Sequence, residues 1–300
     1  MEPQILETMV DSGIEIIEGK WDDYKPLAGQ KVGIFFPVPS TRTRTAFTVA
    51  AINLGAIPVV FGAKDLQLTT GESLEDTGRV LSEYLDAFVV RTNDAMENMR
   101  SLAAKASMPV INAMSEYEHP TQVIGDMITL KQAFNTLKDL HILYVGEGNN
   151  TASALALAVA RFPRMRLTLV TPQGFGIAQK TLQEAQDHGK TRQTEIVQHH
   201  DLNNLPQKVD AVYATRWETM GVSHQDPNWR DKFTPYTVNQ ALMDRVSIRE
   251  RTIFMHDLPA MRGSDVTDEV LDGPQSVAFR QAHHKMTSAM VVLDWCVKTS

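Results

Sequence analysis

The chain has 300 residues, enough for one large domain or two ordinary ones of ~100–200 residues each. With 43% hydrophobic and 22% charged residues it reads as globular, neither disordered nor fibrous. Its formal charge of −7 argues against a broad nucleic-acid-binding surface, which needs a basic field, but leaves room for a local anion site. One cysteine, Cys296, excludes an internal disulfide framework and a Cys-rich zinc site. The longest apolar runs, such as 154–160, reach seven residues, against the ~20 of a membrane-spanning helix. Glu2, Glu7 and Asp11 precede the first basic residue, Lys20, the reverse of a secretory leader. The expectation is a soluble cytoplasmic protein with no membrane and no nucleic-acid partner.

Short β-rich apolar runs alternate with longer helical patterns. Residues 32–36, 57–61, 87–91 and 109–112 read as strands, and 41–53, 73–83 and 95–104 as helices. A long helical pattern runs from His119 to Gln132, with Val123, Met127 and Leu130 at helical spacing. A second series places strands at 142–145, 167–170, 195–197, 211–214 and 252–255, and helices at 151–161, 177–187 and 238–245. Residues 276–297 form a last helix. Strands that alternate with helices run parallel, with crossover helices covering both faces. The pattern predicts an α/β fold: two doubly wound parallel-sheet lobes joined by a long interdomain helix, with the C-terminal helix returning to the first lobe. The expected domains are 1–132 and 133–275, with 276–300 packing back on the first.

The run Phe36-Pro37-Val38-Pro39-Ser40-Thr41-Arg42-Thr43-Arg44 is the most informative stretch. A strand ends at Phe36, two prolines stop it, and a helix begins near Thr41, with Ser40 or Thr41 as N-cap. A helix N-terminus presents free N–H groups and a partial positive charge. Three hydroxyls and two guanidiniums share these five residues and suit a phosphate, with Arg supplying bidentate bonds. The alternative is a capped helix with two solvated arginines. Glu118-His119-Pro120-Thr121-Gln122 sets His119 and Gln122 on one face of the long helix. His256-Asp257-Leu258-Pro259 ends a strand with a turn that offers backbone carbonyls. Ser40, Arg91, His119 and Asp257 all fall at or just after strand ends, where ligands of open α/β sheets bind.

Ser-Thr-Arg-Thr-Arg at 40–44, His-Pro-Thr-Gln at 119–122 and Leu-Pro at 258–259 resemble the carbamoyl-phosphate signatures of the aspartate/ornithine transcarbamylases. The likeness extends to residues 64–68, 71–77, 146–150 and 266–270 in the same order, and the ornithine branch fits best. The resemblance implies that Ser40, Thr41, Arg42 and Thr43 hold the phosphate of carbamoyl phosphate. It implies that Arg91, His119 and Gln122 hold the carbamoyl end, with Leu258 and its neighbours orienting the NH2 group through their carbonyls. Donors fixed at the developing oxyanion would stabilise the tetrahedral species, and the leaving phosphate would take the proton. Gln67 would reach a neighbouring subunit's site, which implies a homotrimer with shared active sites. Asn150 would face the α-carboxylate of an amino-acid acceptor, and Thr219-Met220-Gly221 resembles the loop that closes over it. No metal or organic cofactor is implied.

The acceptor half departs from the ornithine pattern. Where those enzymes carry Asp for the α-ammonium, this chain has Thr215, followed by Arg216 in a run that looks like aspartate enzymes. Their His-Cys-Leu-Pro is His256-Asp257-Leu258-Pro259 here, and their Arg near the C-terminus is Lys285. Arg and Lys are not equivalent at a bidentate site. Two readings follow: drift around an unchanged reaction, or a non-standard amine acceptor that Asp257 attracts and helps deprotonate. Two rival classes are weaker. A nicotinamide dehydrogenase would need Gly or Ala at Thr151 and an acid after the strand at 167–170. A non-catalytic paralogue would have broken the donor cluster, which is intact.

Overall fold

The computed structural model describes residues 1–92, 94–218 and 226–298. The chain divides into two compact units, one of residues 7–128 and 283–300, the other of 1–6 and 129–282.

The first unit is built on strands β1 (Lys31–Phe35), β2 (Ile57–Phe61), β3 (Ala87–Arg91) and β4 (Val110–Met114). They are parallel and lie in the order β2-β1-β3-β4. Helices α1 (Pro3–Ile17), α2 (Thr41–Asn53), α3 (Leu74–Leu81) and α4 (Met96–Ala104) accompany them. β3 is buried at every position, as a continuous apolar run in a central parallel strand must be. β2 is an edge strand and leaves Ile57 and Val60 exposed. Phe35, Phe88 and Val90 meet Leu81, Met99 and Leu102 in the core beneath α3 and α4. α3 and α4 touch backbone to side at Gly78, where a Cβ would lie 2.0 Å from the Leu102 carbonyl oxygen.

α5 (Pro120–Phe134) carries chain across the division between the units, and α11 (Ala278–Lys298) brings the C-terminal residues back to the first. The second unit holds β5 (His141–Val145), β6 (Arg166–Val170), β7 (Glu195–His199), β8 (Ala211–Ala214) and β9 (Ile253–His256). These are parallel in the order β7-β6-β5-β8-β9. Helices α6 (Asn150–Val159), α7 (Gln179–Lys190), α8 (Trp229–Phe233), α9 (Gln240–Val246) and α10 (Asp268–Leu271) complete it. Each sheet therefore has a switch point, between β1 and β3 and between β5 and β8, where chain direction away from the sheet reverses and a crevice opens.

This is the expected architecture. α1 was not expected, because its apolar residues are diluted by acids; Leu6, Met9 and Val10 nonetheless form one buried stripe. α8 and α10, of five and four residues, are too short for a periodic signal. No helix among the described residues is long and apolar enough to cross a membrane.

At the start of β5, His141 is buried and its Nε2 lies 3.0 Å from Thr168 Oγ1. Burial, reinforced by Arg166 and only partly opposed by Asp210, lowers its pKa to about 4. The unfolded chain, with an ordinary pKa of about 6.5, then binds more protons below that pH, so stability falls as pH drops from about 6.5 to 4. At pH 5 this residue accounts for at most about 2 kcal/mol. Denaturant unfolding at pH 7 and pH 5 should show a smaller acid loss in His141→Asn than in the parent, and equal losses would contradict the assignment.

Candidate active site

The donor half belongs to the first unit. α2 starts at Thr41 with Ser40 at the N-cap, in extended geometry (φ −152, ψ 95), but the Ser40 hydroxyl makes no cap bond. The sequence reading of Ser40 as a helix cap is thus correct in position and not in function. An uncapped N-terminus with a buried Ser40 hydroxyl leaves its first N–H groups for an anion. Thr41 is exposed, Arg42 half-buried and Thr43 buried. Thr43 Oγ1 accepts a bond of 2.9 Å from Arg91 Nη1. Arg91 ends β3 at a register irregularity: Val90 pairs with Asn112, but Arg91 with Met114. Such a bulge re-aims a side chain at a strand end.

His119 precedes α5, whose first helical residue is Pro120, a residue suited to that position. His119 is buried, and its Nδ1 has no hydrogen-bond partner. Burial first, then Lys285 and Arg91, hold its pKa well below the usual imidazole value. A neutral ring keeps one N–H to donate and one lone pair to accept. One turn on, Gln122 Nε2 donates to Asp126 Oδ1 (2.8 Å), which fixes the amide so that its oxygen faces Lys285 Nζ, the donor of a short bond. α11 comes close enough for this because Gly125 has no Cβ; one there would lie 3.0 Å from the His284 carbonyl oxygen. Thr43, Arg91, His119, Gln122 and Lys285 thus form one buried group around a positive field. Asp126 escaped the sequence reading, although its place four residues after Gln122 on a helix was the available signal.

Gln67 stands apart. It is exposed in a short turn, and its Oε1 accepts from Thr70 Oγ1 (2.8 Å). The adjoining motif at 71–77 has a local explanation. Ser73 caps α3: its Oγ accepts from the Asp76 N–H (3.1 Å) and donates to the Asp76 carboxylate (2.8 Å).

The acceptor half belongs to the second unit, at the switch point between β5 and β8. Asn149, not Asn150, is the N-cap of α6: its Oδ1 accepts from the N–H groups of Thr151 (3.0 Å) and Ala152 (3.2 Å). That commitment leaves Asn149 Nδ2 to donate to Thr215 Oγ1 (3.1 Å). Thr215 passes its own proton to Asp257, with Oγ1 3.1 and 3.2 Å from the two carboxylate oxygens. Thr151 Oγ1 donates to Asp257 Oδ2 at 3.0 Å. Thr151 entered the sequence reading only as a mismatch to a dinucleotide fingerprint. Asn150 is half-buried in the first turn of α6.

His256 lies 3.5 Å from Asp257 but brings it no charge. Its Nδ1 accepts the Leu258 N–H (2.8 Å), so the proton sits on Nε2, which donates to Asp265 (2.7 Å). This bond also holds Leu258 at φ 51, a sparsely populated backbone for a bulky residue, ahead of a cis bond to Pro259. The direction of Arg216 was left open by the sequence, inward or to solvent. Its Nη2 lies 3.8 Å from Glu218 Oε2. Thr219 and Met220 lie outside the described residues. Gly148 owes its identity to packing rather than to a nucleotide, since a Cβ there would lie 2.3 Å from the backbone at Gly176 and Ile177.

Residues 1–132 match the family model for the aspartate/ornithine carbamoyltransferase carbamoyl-P binding domain, and residues 138–296 that for the Asp/Orn binding domain. The chain belongs to the aspartate/ornithine carbamoyltransferase family. It is 36% identical over 263 residues to ornithine carbamoyltransferase of Oceanobacillus iheyensis, covering 88% of this chain and 80% of that protein. It is 35% identical over 297 residues to that of Agrobacterium fabrum, covering 98% and 94%. The solved ornithine carbamoyltransferase of Pyrococcus furiosus superposes with a TM-score of 0.89 at 32% identity, covering 98% of this chain and 93% of that one. The protein is a carbamoyltransferase.

Because His119 is held neutral, its ring signal in an NMR titration of this carbamoyltransferase should stay that of a neutral imidazole between about pH 7.5 and 6. Lys285→Met removes one of the two nearby cations and should move that titration upward. A His119 that protonates in the ordinary range in the parent would contradict the assignment.

Proposed function

We propose that this enzyme moves the carbamoyl group of carbamoyl phosphate to an amine of an amino-acid-like acceptor, releasing phosphate. Ser40, Thr41, Arg42 and Thr43 hold the phosphate, where α2 offers its uncapped N-terminus. Arg91, His119 and Gln122 hold the carbamoyl end, and Lys285 fixes Gln122. The amine attacks the carbonyl carbon, and charge develops on the carbonyl oxygen. Neutral His119 and cationic Arg91 are suited to donate to it, and one lost donor of this kind costs about 2.7–4 kcal/mol of barrier. Collapse expels phosphate, which carries off the proton.

The acceptor is an amine other than plain ornithine, and Asp257 is the observation that carries this reading. Its carboxylate receives two threonine hydroxyls and has no cation beside it among the described residues. A half-enclosed anion without a counter-ion suits the ammonium or amine of an acceptor, whereas Thr215, the position where ornithine enzymes carry their acid, supplies only a hydroxyl. Asn150 would meet the acceptor's carboxylate. A second reading is ornithine itself. The direct contact of Thr215 with Asp257 favours it, because the acid has moved by one strand and has not been lost, and the relatives named above are ornithine enzymes.

A panel of amines offered with carbamoyl phosphate separates the two. The expected outcome is a kcat/KM for ornithine below that for another amine bearing an acid or amide; ornithine as the best acceptor establishes the second reading. Under either, Asp257→Asn should lower kcat/KM for the amine by roughly 30- to 4,000-fold, the cost of losing one charged partner in a desolvated pair.

The proposal extends to a cytoplasmic homotrimer in which Gln67 serves a neighbour's site. Its support is an exposed Gln67 side chain bonded only within its own turn. Mixing two inactive parents, Arg42→Ala and Gln67→Ala, should restore part of the activity through hybrid interfaces. A light-scattering mass near 33.5 kDa, that of one chain, would overturn the trimer.

A further inference from the structure

Asp257 opens a turn, residues 257–261, whose two arms are tied to one buried carboxylate. At the end of β9 the His256 N–H donates to Gln281 Oε1 (2.8 Å), which fixes the last residue of the strand. The His256 ring then reaches over Asp257, and its Nδ1 accepts the Leu258 N–H (2.8 Å). This bond from a side chain to the backbone two residues on is the closure that Asn and Asp make in an Asx-turn. Downstream, the Met261 N–H donates to Asp265 Oδ1 (2.7 Å), while Asp265 Oδ2 accepts from His256 Nε2 (2.7 Å).

Asp265 is itself anchored. Its carbonyl accepts the Val238 N–H (3.0 Å), and the Thr267 N–H donates to the Val238 carbonyl (3.1 Å). Val238 and Val266 are fully buried in the core with Val212 and Phe254. The His256 and Asp265 side chains are 0% and 1% exposed, so water does not compete for the bonds between them. An acid is needed at 265 because it accepts on both oxygens. An amide would turn its NH2 either on the Met261 N–H or on His256 Nε2. In the second case the ring proton moves to Nδ1 and opposes the Leu258 N–H, donor against donor. Leu258 stands at φ 51, and without an acceptor at its N–H the turn relaxes toward better populated backbone. That shift carries Asp257 with it, away from the hydroxyls of Thr151 (3.0 Å) and Thr215 (3.1 Å).

We propose that His256 and Asp265 are positioning residues for the acceptor. The pair holds the ring proton on Nε2, keeps Leu258 in its left-handed conformation and so sets the Asp257 carboxylate where the amine meets it. Neither side chain touches the amine. The inference rests on the acceptor reading above, in which Asp257 receives that amine.

Two substitutions at 256 separate positioning from stability. Asn offers its Oδ1 to the Leu258 N–H but does not reach Asp265, whereas Gln reaches Asp265 with its Nε2 and offers Leu258 nothing. Denaturant stability should rank His256→Gln above His256→Asn, which leaves a buried carboxylate oxygen unpaired. Amide exchange at Leu258 and turnover should rank the other way. His256→Gln should speed Leu258 exchange about tenfold, as loss of one hydrogen bond implies. It should lower kcat/KM by about the same factor for whichever of ornithine, 2,4-diaminobutyrate and putrescine is carbamoylated fastest. His256→Asn should stay within about twofold of the parent in both, and Asp265→Asn should follow His256→Gln. Inorganic phosphate should bind all of them alike in calorimetry, since residues 40–43 belong to the other unit. Turnover that follows stability, or equal Leu258 exchange in the Gln and Asn variants, would overturn the positioning role. The acceptor reading fails separately. Asp257→Asn at the parent's kcat/KM, or a parent that releases no phosphate with any of the three amines, would overturn that reading and leave the exchange ranking intact.

Discussion

A guanidinium buried at the carboxyl end of a central strand is the constraint on which the donor half depends. Arg91 is 4% exposed, and an ionised group so placed must be met by polar partners or by a ligand. Thr43 supplies a neutral oxygen from the first turn of α2, which ties the helix N-terminus to the strand end. Burial first, and then the same positive field with Lys285 added, keep His119 neutral. These groups therefore act together: the buried cations that would favour an anion also reinforce burial in setting the protonation state of His119. An enzyme that relied on His119 as a proton carrier would need the opposite arrangement.

The acceptor half is organised by proton direction. The cap of α6 fixes the Asn149 amide, Asn149 fixes Thr215, and Thr215 with Thr151 points two protons at Asp257. His256, which would otherwise offer a charge, is held with its lone pair toward the Leu258 N–H. Every proton in this small network runs toward Asp257 and none runs away. The carboxylate is consequently oriented and, among the described residues, without a counter-charge, the condition under which a ligand cation gains most.

The architecture was legible in the sequence because parallel strands buried on both faces leave unbroken apolar runs, and crossover helices leave a different period. The candidate donor residues could be named from the sequence as well, since Ser40–Arg44 and His119–Gln122 are compact runs beside strand ends. What escaped was set by tertiary contact. Thr151 acquires meaning only from Asp257, 106 residues away, and Asn149 only from Thr215. Arg216 had two possible directions, inward or to solvent, and no local pattern decides between them. The Ser40 hydroxyl illustrates a subtler limit: a residue type and a position can both fit a cap while the cap bond is not made.

The exchange at 215 and 257 follows from the sheet itself. β8 and β9 are parallel neighbours, with Ala214 in register with His256, so residues 215 and 257 are the next positions on adjacent strands. Adjacent strands are about 4.8 Å apart, and a short side chain spans that distance. An acid can therefore pass from one strand end to the other without leaving the crevice, provided the vacated position offers a donor to hold it. Thr215 does so, contacting both carboxylate oxygens. On the acceptor reading proposed above, charge that ornithine enzymes project from the end of β8 projects here from the end of β9, beside the Leu258 turn, and the amine is met from that side.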